Sequence, residues 1–144
     1  MERWPIGVFT SVDAGLGVRL EVARDLKVPT VQIHAPHQET RTPAQAQAFL
    51  GKLKEAGITL TCVFGGFEGE SYADIATTAK TVGLVPKETR AARVAEMTEI
   101  SDFAKLLGCG CVALHIGFVP EDRGSADYKD LVSATRDLLD HING

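Results

Sequence analysis

The stretch "CGCVALHIGFVP", residues 109–120, decides how the chain is read. Cys111 to His115 is a short apolar run of the length of a buried strand. It stops on a histidine, and Gly117 and Pro120 then punctuate a loop. The same event occurs earlier in "PTVQIHAPHQ", residues 29–38, where Thr30 to Ile33 runs into His34, then Pro36 and His37. Three of the four histidines therefore stand where an apolar run gives way to a loop.

Outward from these two strands the pattern alternates. Strands are expected near residues 5–9, 30–34, 58–64 and 111–115. Between the first two, Val18, Leu20, Val22, Ala23 and Leu26 suit a helix that ends near Val28-Pro29. Thr42 offers an N-cap with Pro43 at the first helical position. Ala46, Phe49, Leu50 and Leu53 make that helix's apolar face, and Gly57 ends it. A long excursion with one short helix follows the third strand. Glu88 to Leu107 then reads as a long helix with Val94, Met97, Phe103, Ala104 and Leu107 inward. The last helix, Ser125 to Ile142, carries Leu131, Thr135, Leu138, Leu139 and Ile142 on one stripe. The order βαβαβαβα predicts an α/β fold of parallel strands with right-handed crossovers.

Length and composition bound the function. The 144 residues fit one domain, 1–144, with 44% hydrophobic and 24% charged residues. Fifteen Lys and Arg against nineteen Asp and Glu give a net charge of −4, without the basic footprint of a nucleic-acid binder. No apolar run approaches the ~20 residues that span a bilayer, and the amino terminus has no signal-peptide pattern. The cysteines are Cys62, Cys109 and Cys111, an odd number that argues against a disulfide framework and for a reducing cytoplasm. Cys109 and Cys111 read as two buried thiols on a strand rather than a metal fragment.

Ligands of parallel α/β folds sit at the carboxyl ends of the strands. His34 and His115 end the second and fourth strands, and side chains from alternate strands share a layer in a barrel. With Glu68, Glu70 or Glu121 they could hold a divalent metal or act as an acid/base pair. The blander alternative is that each imidazole bonds a backbone carbonyl and shapes its loop. His37 is expected to face solvent, and His141 to lie on the surface at a helix end. In "FGGFEGES", residues 64–71, Phe64 and Phe67 suggest an apolar wall against a substrate beside Glu68 and Glu70. The competing reading is a flexible Gly-rich loop with solvated acids, although a loop this long favours a substrate-covering role. "DAGLGVRL" invites a dinucleotide-binding reading, but Leu20 replaces the third glycine and His34 the acidic ribose ligand. Gly15 and Gly17 then serve a tight turn or a close backbone approach.

The segments "IGVFTSVDAGLGVRLEVARDLKVPTVQIHAP", "GITLTCVFGGFEGESYADI", "TVGLVP" and "ISDFAKLLGCGCVALHIGFVPED" together resemble the sugar phosphate isomerase/epimerase proteins of the xylose isomerase-like superfamily. The resemblance implies a TIM barrel, of which these four βα units would be the amino-terminal half. It implies a divalent-metal-dependent sugar or sugar-phosphate isomerase or epimerase acting by proton transfer next to a carbonyl. The metal, Mn, Mg, Co or Zn, would take most of its ligands beyond residue 144. His115 matches the fourth-strand His-x-Gly position, as a catalytic residue and metal ligand; His34 matches the second-strand position loosely. His34, Phe64, Phe67 and Glu68 are then the expected substrate-binding residues, the partner a small carbohydrate. A second copy of the chain is expected to complete the barrel, because bare first and fourth strand edges invite pairing. The alternatives are an apurinic/apyrimidinic endonuclease-like metal hydrolase, which the acidic charge disfavours, and a non-catalytic half-barrel binding module. A flavodoxin-like or receiver domain is a structural rival.

Overall fold

Strand order separates the architectures that four βα units allow. The strands are β1 (Gly7–Ser11), β2 (Thr30–His34), β3 (Thr59–Gly65) and β4 (Val112–Leu114), in one sheet ordered β1-β2-β3-β4. Both β1–β2 and β2–β3 pair in parallel. Doubly wound folds reverse direction at a switch point, giving orders such as 2-1-3-4. A sheet that adds each new strand on the same side has no such reversal, as in a barrel wall. This removes the dinucleotide-binding and receiver-like readings. The structure, a computed structural model, describes residues 4–13 and 17–144.

The helices are α1 (Leu20–Asp25), α2 (Pro43–Ala56), α3 (Ile75–Thr81), α4 (Lys87–Leu106) and α5 (Ala126–Asn143), with a 3₁₀ turn at Gln38–Thr40. Thr42 caps α2, its hydroxyl accepting from the Gln45 N–H, with Pro43 in the first turn and Gly57 at the end. Asp74 caps α3 and Ser125 caps α5 in the same manner. Along α5, Leu131 and Leu138 are buried but Leu139 is 48% exposed. One residue is a 100° step, which carries Leu139 off the inward stripe.

The chain divides into two compact units, Met1–Phe64 with Ile100–Ala113, and Gly65–Glu99 with Leu114–Gly144. The core of the first is built from Val31, Ile33, Val63, Ala46, Phe49, Leu53 and Phe103. The core of the second contains Phe67, Val82, Leu84, Met97, Leu131 and Leu138, with Arg90 and Arg93 buried among them.

Two expectations shift, and one is met. The first strand runs from Gly7 to Ser11 rather than 5–9, because its ladder with β2 extends from Gly7–Thr30 to Ser11–His34. Gly15 lies outside the described residues. Gly17 does make a close approach: a Cβ there would stand 2.1 Å from the Phe9 carbonyl oxygen. Cys109 and Cys111 are not buried on a strand. Cys109 donates its N–H to the Ala104 carbonyl at 2.9 Å, so the end of α4 holds this segment and β4 starts only at Val112. Cys109 is half-buried and Cys111 exposed.

Candidate active site

In β2 alternate side chains face opposite ways, and burial follows that alternation. Val31 and Ile33 are fully buried, whereas Gln32 is exposed and His34 half-buried on the opposite face. Register places Phe9 beside Gln32 and Ser11 beside His34 on β1, and Cys62 and Phe64 beside Gln32 and His34 on β3. The β3 placement depends on an irregularity. Val31 pairs with Leu60 but Gln32 pairs with Cys62, which leaves Thr61 as an extra residue. Its hydroxyl donates to the Val31 carbonyl at 3.0 Å, satisfying the bulge locally. The extra residue reverses the parity of the remaining strand, burying Val63 beside Ile33 and turning Phe64 to the His34 face.

His34 is held in one orientation. Its Nδ1 lies 2.9 Å from the Ala35 carbonyl oxygen, which can only accept, so Nδ1 carries the hydrogen. Neutral His34 therefore presents Nε2 as its lone-pair nitrogen. The rings of Phe9 and Phe64 stand 6.4 and 6.3 Å from the imidazole and 6.0 Å from each other. Beyond the strand, the Ala35 N–H bonds the Phe64 carbonyl, Arg41 Nε bonds the Pro36 carbonyl, and Asp13 accepts from the His37 N–H and the Thr40 hydroxyl. These ties fix the loop. His37 is exposed, as its place beyond Pro36 predicts.

His115, in the second unit, is held by other means. It is exposed, and its Nδ1 lies 2.5 Å from the Tyr72 hydroxyl. The two rings meet edge to face, 5.6 Å between centroids and 78° between planes. The backbone beneath is knitted to the segment "VGLVP". The Leu84 and Val85 N–H groups both donate to the Ile116 carbonyl, at 2.9 and 3.1 Å. Gly83 (φ 76°) and Gly117 (φ 95°) make this approach possible. A Cβ on Gly83 would stand 2.3 Å from the His115 carbonyl oxygen, and one on Gly117 2.5 Å from that of Val82. Two buried arginines then take the carbonyls of the same segment. Arg93 Nη1 bonds Gly83 at 2.7 Å, and Arg90 bonds Leu84 and Val85 at 2.7 and 2.6 Å.

The sequence candidates around this segment divide. Phe67 is 6% exposed, its ring covered by the Arg93 guanidinium at 5.4 Å, so it packs the loop instead of presenting an open wall. Glu68 is exposed. Glu70 is not a solvated acid: its carboxylate accepts from the Gly83 N–H at 2.7 Å and the Phe67 N–H at 3.2 Å. Burial and the Glu70 charge raise the Tyr72 hydroxyl above its ordinary value of 10.0, which keeps it protonated. Glu121 and His141 are exposed. Among the described residues no three His, Cys, Asp or Glu side chains gather to hold a metal, so the expected grouping with Glu68, Glu70 or Glu121 is not formed. Tyr72, Arg90 and Arg93 were not legible as site residues. Gly117, two residues past His115, was the visible trace of the backbone approach.

A family model described as a xylose isomerase-like TIM barrel matches residues 20–143. A search of the curated proteins finds no match. Among solved structures, a xylose isomerase domain protein from Planctomyces limnophilus is 70% identical, with a TM-score of 0.94, over 97% of this chain and 50% of that one. A D-psicose 3-epimerase solved in the presence of D-fructose has a TM-score of 0.64 at 19% identity, over 97% of this chain and 49% of that one. That second likeness concerns the fold. The chain spans about half the length of both solved proteins.

Proposed function

The chain belongs to the xylose isomerase-like TIM barrel family, and from that footing we propose that it is part of a carbohydrate isomerase or epimerase working by proton transfer next to a carbonyl. The observation that carries this reading is that each unit holds, at or just past a strand end, an imidazole engaged through Nδ1. A base or acid must be oriented before its basicity matters, and here backbone and phenol orient the rings. His34, with Nδ1–H tied to Ala35, offers Nε2 to accept or share a substrate hydroxyl proton. Phe9 and Phe64 give the apolar C–H face of a sugar a surface to lie on and exclude water from that side. In the other unit His115, its ring held by Tyr72, is the second group able to receive or return a proton. Glu68, exposed on its loop, is the carboxylate available to bind a sugar hydroxyl.

A divalent ion of the Mn, Mg, Co or Zn group, if bound, would polarise the substrate carbonyl. Should His115 act as a ligand in place of that proton transfer, Tyr72 at its Nδ1 would orient the ring from behind. The other ligands would come from outside these residues. Two copies, each with four βα units, would supply the eight strands of a barrel, and a stable dilute monomer in size-exclusion chromatography would count against that arrangement.

The test is solvent exchange. D-Fructose or D-psicose is incubated with the protein and each metal in deuterium oxide, and deuterium at the carbon beside the carbonyl is followed by NMR. Incorporation that falls at least ~100-fold in His115→Ala supports the reading. No incorporation with any ion or with an aldose panel overturns it.

A further inference from the structure

Cys62 and Cys111 are brought together by the sheet although they lie far apart in sequence. Val63 donates its N–H to the Cys111 carbonyl at 3.0 Å, which makes Cys62 and Cys111 lateral neighbours. Their sulfurs are 3.5 Å apart, with the Cys111 thiol directed at Cys62. Neighbouring strands lie about 4.8 Å apart, inside the roughly 4.4–6.8 Å Cα separation that a disulfide tolerates. The pair is also asymmetric: Cys62 is 5% exposed, whereas Cys111 is open to solvent. Cys109, the third thiol, is directed at the Cys111 carbonyl at 3.4 Å.

We propose that Cys62 and Cys111 form a redox dithiol, a modification site at which a small hydroperoxide makes a reversible disulfide between β3 and the segment leading into β4. Cys111, being accessible, reacts first. Its thiolate attacks one peroxide oxygen: the S–O bond forms, the O–O bond breaks, and hydroxide (or alkoxide) leaves with a proton. The sulfur is oxidised to a sulfenic acid and the peroxide is reduced. The Cys62 sulfur then attacks the Cys111 sulfur. The S–S bond forms, the S–O bond breaks, and the departing hydroxide takes the Cys62 proton as water. Burial and the neighbouring Cys111 push the Cys62 thiol up to about 12, so Cys62 stays protonated while Cys111 reacts, and the 3.5 Å approach of the two sulfurs is what enables the second step. A dithiol reductant returns two electrons and restores both thiols. None of this chemistry depends on the isomerase reading.

The experiment exposes the chain to stoichiometric hydrogen peroxide, blocks remaining thiols by alkylation and maps peptides by mass spectrometry. The expected product is a Cys62–Cys111 linked peptide lighter by two hydrogen atoms, lost on reduction with dithiothreitol. Cys109→Ser keeps it, while Cys111→Ser abolishes it with an unchanged circular dichroism spectrum. Cys62→Ala leaves a sulfenic acid on Cys111 that a dimedone probe traps. A Cys109–Cys111 link, intermolecular links only, or Cys111 passing to sulfinic acid while Cys62 stays reduced would each overturn the proposal.

Discussion

The ends of β2 and β4 both lead into a histidine, yet the two are held by opposite means. His34 belongs to the sheet: register aligns it, its own next carbonyl sets its tautomer, and two phenyl rings flank it. His115 belongs to a loop, where backbone meets backbone through Gly83 and Gly117 and a tyrosine reaches its ring. Orientation taken from a sheet is as stable as the sheet. Orientation taken from a loop depends on a few close approaches, each open to a single substitution.

The largest expected effect lies in the sheet. Ile33 is fully buried on the face opposite His34, and Ile33→Ala should destabilise by about 2–5 kcal/mol in urea unfolding. In the folded fraction, His34 should keep its Nδ1–H tautomer by ¹⁵N NMR, since the cavity opens on the other face. Loss of that tautomer would mean that the two faces are not independent. Gly83→Ala comes next, at about 1–3 kcal/mol, because φ is positive and the new methyl meets the His115 carbonyl. Here the contrast predicts a local outcome, with His115 resonances moving and His34 resonances unchanged. Movement of both would erase the distinction.

A smaller change sharpens the contrast further. Tyr72→Phe removes one hydroxyl from a residue that is 57% exposed, and should cost about 1 kcal/mol or less. Its signature is chemical: the ¹⁵N pattern of His115 should shift toward a mixture of tautomers, and that of His34 should not. An unaltered His115 pattern would show that Tyr72 does not orient it.

The same contrast explains what the sequence made visible. His34 was legible because an apolar run, a histidine and a proline follow one another closely, and β2 starts and ends at the expected residues. The alternation of four units predicted parallel strands with right-handed crossovers but left singly and doubly wound orders both open, and only the observed order decides between them. The Thr61 bulge was not legible, because "TLTCVF" fits an unbroken alternation equally well. Nor was Tyr72, which lies 43 positions from His115 and reaches it only after the loop folds back. Glu70 read as a free acid because a carboxylate that caps two amides has the same sequence appearance as a solvated one. Nothing in the sequence marks Arg90 or Arg93, each of which is buried against carbonyls of the "VGLVP" segment.

Each unit also contains a group whose ionisation folding opposes, and the alkaline response separates them. In the sheet, Cys62 is pushed from 9.0 up to about 12 by burial first and by Cys111 second. The unfolded chain then releases that proton at a lower pH than the folded chain does. Between 9.0 and about 12 the folded state binds more protons, so stability falls as pH rises; below 9.0 the contribution is fully present. In the loop, Tyr72 is raised above 10.0, and its contribution declines only from there. Urea midpoints measured in reductant from about pH 8 to about pH 11 should therefore fall for the native chain, and the fall should begin near 9.0. Cys62→Ala should abolish the fall between 9.0 and 10.0 and lessen, without removing, the slope above 10.0. Tyr72→Phe should keep the onset near 9.0 and lessen the slope only above 10.0. Parallel curves for all three proteins would show that neither proton is retained by its surroundings, and the sheet and the loop would then be indistinguishable in their response to base.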